Sequence, residues 1–110
     1  MEVRPRRVLK YVTEGGRCPF DDWFDSLKDK RSQAIVATRV NRIVQGNFGQ
    51  CRKLEDGIWE FKIDYGPGYR VYFAEDGDTV VLLLCGGDKS TQPKDIVRAR
   101  ECWSDYHRSE

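Results

Sequence analysis

The stretch IWEFKIDYGPGYRVYF, residues 58–73, decides the fold. Apolar and polar residues alternate on both sides of Gly66-Pro67-Gly68, the period of two that marks strands with one covered face. Trp59, Phe61 and Ile63 fall on one face with Val71 and Phe73, and Glu60, Lys62, Asp64, Arg70 and Tyr72 fall on the other. Strands over residues 58–64 and 69–73, joined by a turn at the glycines, are therefore predicted. If that turn is symmetric, Asp64 faces Arg70 and Lys62 faces Tyr72.

Reading outward, Asp76-Gly77-Asp78 marks a second turn. The nearly all-apolar run over residues 79–85 predicts a central strand covered on much of both faces. Gly86-Gly87 reads as the end of the sheet. A last helix starts at Gln92 or Pro93, with Ile96, Val97, Ala99, Cys102 and Trp103 on its apolar side and a frayed tail from Asp105. Upstream, Val36, Val40, Ile43 and Val44 predict a helix over residues 31–45 that stops at Gly46, with Arg39 and Arg42 off its stripe. Pro19, Phe20, Trp23, Phe24 and Leu27 predict a shorter helix ending near Lys28, with Asp21 and Asp22 at its positive end. A first strand lies within residues 7–13 and a short one at 52–54. The sum is one α+β two-layer domain over residues 1–110: an N-terminal strand, an αα-hairpin, an antiparallel three- to four-stranded meander and a C-terminal helix.

Composition narrows the function. A chain of 110 residues with 39% hydrophobic residues buries one modest core. Its net charge of +1 gives no global basic field, so any nucleic-acid contact has to rest on a local cluster. The four cysteines form no CxxC pair, and Cys85 in its apolar run reads as a buried thiol. No metal site and no cofactor are expected. The basic N-terminus lacks the apolar stretch of a signal peptide, and no run is long enough to span a membrane. A cytoplasmic setting is the expectation.

Two places could carry chemistry. The polar face of the meander gathers Lys62, Arg70 and Tyr72, which suits an anion-binding platform because arginine offers phosphate a planar fork and lysine a point charge. The same pattern also fits a solvated sheet face with a cross-strand Asp–Arg pair worth ~0.2–1 kcal/mol. Gly86-Gly87-Asp88-Lys89-Ser90-Thr91-Gln92 links a strand to a helix and could point backbone N–H groups at an anion. It reads equally as a plain turn capped by Ser90 or Thr91. His107, the single histidine, lies too near the end to serve as a fixed base.

The run from Ile63 to Phe73, then Leu82-Leu83-Leu84-Cys85-Gly86-Gly87-Asp88-Lys89-Ser90-Thr91-Gln92 and Asp95-Ile96, resembles the RelE/ParE toxin superfamily. It is most similar to the HigB-like "addiction module killer protein" branch, related to phage-derived proteins, which Trp23-Phe24-Asp25-Ser26-Leu27-Lys28-Asp29 also fits. The resemblance implies a RelE-like fold and the toxin of a type II toxin–antitoxin system, silenced by a helix-turn-helix antitoxin. It further implies ribosome-dependent mRNA cleavage without metal, by attack of the ribose 2′-hydroxyl on the adjacent phosphate. Lys62 then corresponds to a residue that activates or orients the nucleophile, Arg70 to the arginine that stabilises the phosphate, and Lys89 to a cation at the leaving group. Arg52 or Lys53, with Tyr72, would lend support. Two differences stand out: Glu60 occupies a position where RelE has a second lysine, and Asp95 and Ile96 replace a tyrosine near the start of the last helix. Inhibition of DNA gyrase, as by ParE, and an inactive toxin-like protein within a repressor complex are the alternatives.

Overall fold

The computed structural model describes residues 5–108. In chain order it contains β1 (Arg7–Lys10), α1 (Pro19–Ser26), α2 (Lys30–Val44), β2 (Cys51–Lys53), β3 (Trp59–Ile63), β4 (Tyr69–Asp76), β5 (Val80–Asp88) and α3 (Gln92–Arg108). The five strands form one mixed sheet in the order β1-β5-β4-β3-β2. Strands β2 to β5 are the antiparallel meander, and β1 adds a parallel edge beside β5. The α+β composition is as expected.

The two-layer expectation is corrected. Helices α1 and α2 cover one face, where Phe20, Val36 and Ile43 meet Phe61, Phe73 and Leu83. Helix α3 covers the other, where Ala99 and Cys102 meet Ile58, Tyr72, Leu82 and Leu84. A helix with its own apolar stripe has to bury it, and the vacant side of β4 and β5 is the surface that remains. A β-bulge assists: the register passes from Tyr72↔Cys85 to Phe73↔Leu83, so Leu84 is the extra residue. Leu84 and Cys85 thereby both join the α3 core.

Strand β5 does not end at the glycines, as the sequence suggested, but runs through them to Asp88. A Cβ on Gly86 would overlap the Trp23 ring of α1, and one on Gly87 would overlap the Asp95 carboxylate of α3. The pair lets a helix approach the strand closely on each face.

Other differences are local. Helix α1 stops at Ser26. Helix α2 starts on an Asp29 cap that accepts from the Arg31 N–H at 3.0 Å, and its buried stripe ends at Ile43, leaving Val44 exposed. Gly46, with φ +84°, closes it as expected. The tail from Asp105 is not frayed, because α3 continues to Arg108. Tyr11 hydrogen-bonds to Asp105, Tyr106 donates to Asp76 at 2.8 Å, and the His107 ring lies 4.0 Å from that of Trp103. Among the described residues no helix is long and apolar enough to cross a membrane.

Candidate functional site

The β3–β4 register differs from the symmetric-turn expectation by two residues: Lys62 pairs with Arg70, and Glu60 with Tyr72. The connection between Ile63 and Tyr69 is longer than a tight hairpin turn, closed by Tyr65 N–H to Ile63 O at 2.9 Å and Gly68 N–H to Tyr65 O at 3.1 Å. An even shift keeps every side chain on its face. The polar face therefore survives with new partners. Strand β2 extends it, since Arg52 pairs with Glu60.

These residues border a groove of about 480 Å³, lined by Gln50, Arg52, Glu60, Lys62, Arg70 and, from α3, Gln92. Glu60 lies at its floor, with only 4% of its side chain exposed. Its Oε1 accepts from Arg52 Nε at 2.9 Å, and its Oε2 accepts from Gln92 Nε2 at 2.9 Å. Arg70 is also buried and lies beside the carboxylate, Nε to Oε2 3.8 Å, while its Nη1 donates to Gly68 O at 2.9 Å. Its Nε has no hydrogen-bond partner among the described residues. Lys62 stays half-exposed, 3.3 Å from Asp64. The groove thus sets three cations against one carboxylate. A buried carboxylate persists only when paired, so Glu60 both neutralises Arg70 and aims Arg52.

The structure sorts the sequence candidates. Lys62, Arg70 and Arg52 come together. Tyr72 does not join them at the surface: α3 buries it completely. Burial, then the charge of Glu60, pushes its phenol far above the ordinary value, so it stays protonated. Lys53 points away, because it pairs with Trp59 on the other face and lies 5.9 Å over that indole. Lys89 is exposed and does not line the groove; it stands beside Gly68, which Arg70 also contacts.

The Gly86–Gln92 segment is not an open anion nest. Asp88, rather than Ser90 or Thr91, is the cap, on the 3-10 turn Lys89–Thr91 that leads into α3: its carboxylate accepts from the Ser90 N–H at 2.8 Å, and Thr91 completes the capping box. The bond from Ser90 holds the Asp88 carboxyl below its ordinary value. A residue of the protein already occupies the place an anion would take. Cys85 is buried as expected and its thiol is raised by burial. Glu60, Gln92 and Gln50 are groove residues that sequence reasoning did not select. Glu60 stood out as a charge on the polar face and as the position where RelE has a second lysine, and nothing local tied it to a glutamine 32 positions on.

The family model described as "Phage derived protein Gp49-like (DUF891)" matches residues 22–102, a span that holds every groove residue. A protein of Haemophilus influenzae, named only "Uncharacterized protein", is 49% identical over 81 residues, covering 74% of this chain and 82% of that one.

Proposed function

The chain belongs to the phage-derived Gp49-like family, within the RelE/ParE-like toxin superfamily, and on that premise we propose that it is the toxin of a type II toxin–antitoxin pair acting on RNA phosphate. The observation that carries this reading is the convergence of Arg52, Lys62 and Arg70 on one groove in a protein of nearly neutral net charge. Arg70, buried in the groove, interacts with a phosphodiester more strongly than a solvated cation does.

The reaction is cleavage of mRNA presented by the ribosome. The ribose 2′-oxygen bonds to the adjacent phosphorus as the P–O5′ bond breaks. The proton lost from the 2′-hydroxyl is balanced by one gained at O5′, leaving a 2′,3′-cyclic phosphate and a 5′-hydroxyl. Arg70 and Arg52 stabilise the charge on the phosphoryl oxygens, and Lys62 orients the 2′-hydroxyl. Lys89, on the Gly68 side, is the added cation toward the leaving group. Glu60, with both oxygens engaged, positions the arginines. A helix-turn-helix antitoxin is the partner that silences the toxin.

Induced expression followed by mapping of mRNA 5′ ends tests the proposal. Growth arrest with new 5′ ends is expected, relieved by Arg70→Ala with Lys89→Ala while circular dichroism stays unchanged. A double variant as toxic as the parent sinks the site assignment. Arrest with intact messages and DNA-damage signalling moves the reading to gyrase.

A further inference from the structure

A second basic groove lies around the sheet edge from the first. It has a volume of about 520 Å³ between α2 and the β3–β4 connection, and its lining includes Arg31, Arg39, Arg42, Asp64 and Tyr65. Asp64 is the one carboxylate in that lining, and it is taken by Lys62 at 3.3 Å. Three arginines thus outnumber the acid among the described lining residues, and Asp64 also acts on Arg39. Arg39 lies over the Phe61 ring at 5.3 Å and donates through Nη1 to Lys62 O at 3.0 Å. Its Nη2 has no hydrogen-bond partner among the described residues. Burial and then the nearby charge of Arg42 lower the Arg39 guanidinium from its ordinary value, against the opposing pull of Asp64. Arg31 lies 5.9 Å over the Tyr65 ring.

The two grooves adjoin. Gln50 lines both. Arg39 grips the backbone carbonyl of Lys62, whose side chain lines the first groove. A polyanion long enough to leave one groove past Gln50 meets the other. Tyr65 favours a nucleic acid over an acidic peptide, because a base presents a flat face for a ring or a guanidinium to stack upon.

We propose that the α2 groove, through Arg31, Arg39 and Arg42, binds the phosphates of a single-stranded RNA flank whose neighbouring segment occupies the Arg70 groove. This rests on the RNA reading above and adds a second subsite to it. Arg31 and Arg42 are exposed and make the phosphate contacts; Arg39 joins the two subsites.

The test uses non-cleavable 2′-O-methyl RNA, so that binding is read apart from cleavage. Fluorescence anisotropy compares oligomers of about four and about twelve nucleotides, one shorter and one longer than a single groove accommodates. The longer oligomer is expected to bind the wild-type protein more tightly by tenfold or more. In the variant Arg31→Glu with Arg42→Glu that gain disappears, the short oligomer binds as before, and the salt slope of the long one drops by about 1.4, two lost contacts on a single strand. Equal affinity for both lengths, or an unchanged gain in the variant, overturns the proposal. So does a polyglutamate peptide of matched charge that competes as well as RNA. A length-dependent gain without mRNA cleavage in cells would instead sink the nuclease reading and leave the subsite standing. Thermal unfolding of the double variant establishes that it is folded; Arg31→Ala with Arg42→Ala, expected to lose most of the same gain, serves if it is not.

Discussion

Phe61 and Glu60 are neighbours in β3, and both are almost wholly buried. Phe61 faces α2 in a core of aromatic and aliphatic side chains and packs 6.0 Å from Phe73, ring to ring. Glu60 faces α3 and needs Arg52 and Gln92 to hold its two oxygens. The α1/α2 face is closed by the packing of apolar shapes. The α3 face is apolar at its centre, around Tyr72 and Leu84, and charged toward β2. Burying charge gives little or no net stability. What the charged end gains is a set of cations held in place before any ligand arrives, and that is where the groove lies.

The sharpest way to break the comparison is Phe73→Ala. Phe73 has no exposed surface and contacts Phe48, Trp59 and Phe61. Its removal is expected to cost about 3–5 kcal/mol, read by chemical denaturation, without changing RNA affinity per folded molecule. On the other face, Glu60→Gln should separate the two properties. It leaves Arg70 without its charge partner, costs about 1–3 kcal/mol, and raises affinity for RNA phosphate by removing the one carboxylate of the groove. Weaker RNA binding in a folded Glu60→Gln protein would mean that aiming the arginines outweighs the charge.

Asp88→Ala probes the entry to α3 and should cost about 1 kcal/mol at neutral pH. Because the folded carboxyl is held below its ordinary 3.8, its contribution is present above that pH and is lost as pH falls through the folded value. The gap between wild type and variant should therefore close in acid; a constant gap would show that the carboxylate charge is not what caps the helix. The smallest effect separates adjacent residues of β2. Arg52→Ala should weaken RNA binding, whereas Lys53→Ala, on the Trp59 side, should leave it unchanged.

Much of this was legible in the chain. The alternation over residues 58–73 assigned Phe61 and Lys62 to opposite faces, and the structure keeps them there. The spacing of Val36 and Ile43 placed the buried stripe of α2. Lys62 and Arg70 were read as a pair of cations on one face, and they are cross-strand partners. The fate of Tyr72 was not legible, since alternation tells which side a residue takes but not what covers that side. Gln92 was missed for a related reason: only the docking of α3 brings it to Glu60. In the sequence the glycines of β5 read as the end of the sheet, because a turn and a close helix contact both call for a missing Cβ.

Local periodicity, caps and turn residues act over a few positions, and from them the sequence alone determined most strands and helices and the faces taken by the side chains of the meander. The parallel placement of β1, the two-residue change of register and the covering of the polar face by α3 depend on contacts between segments far apart in the chain. Those were decided by the tertiary structure, because the apolar stripe of α3 has to find a surface, and that surface exists only once β4 and β5 have paired.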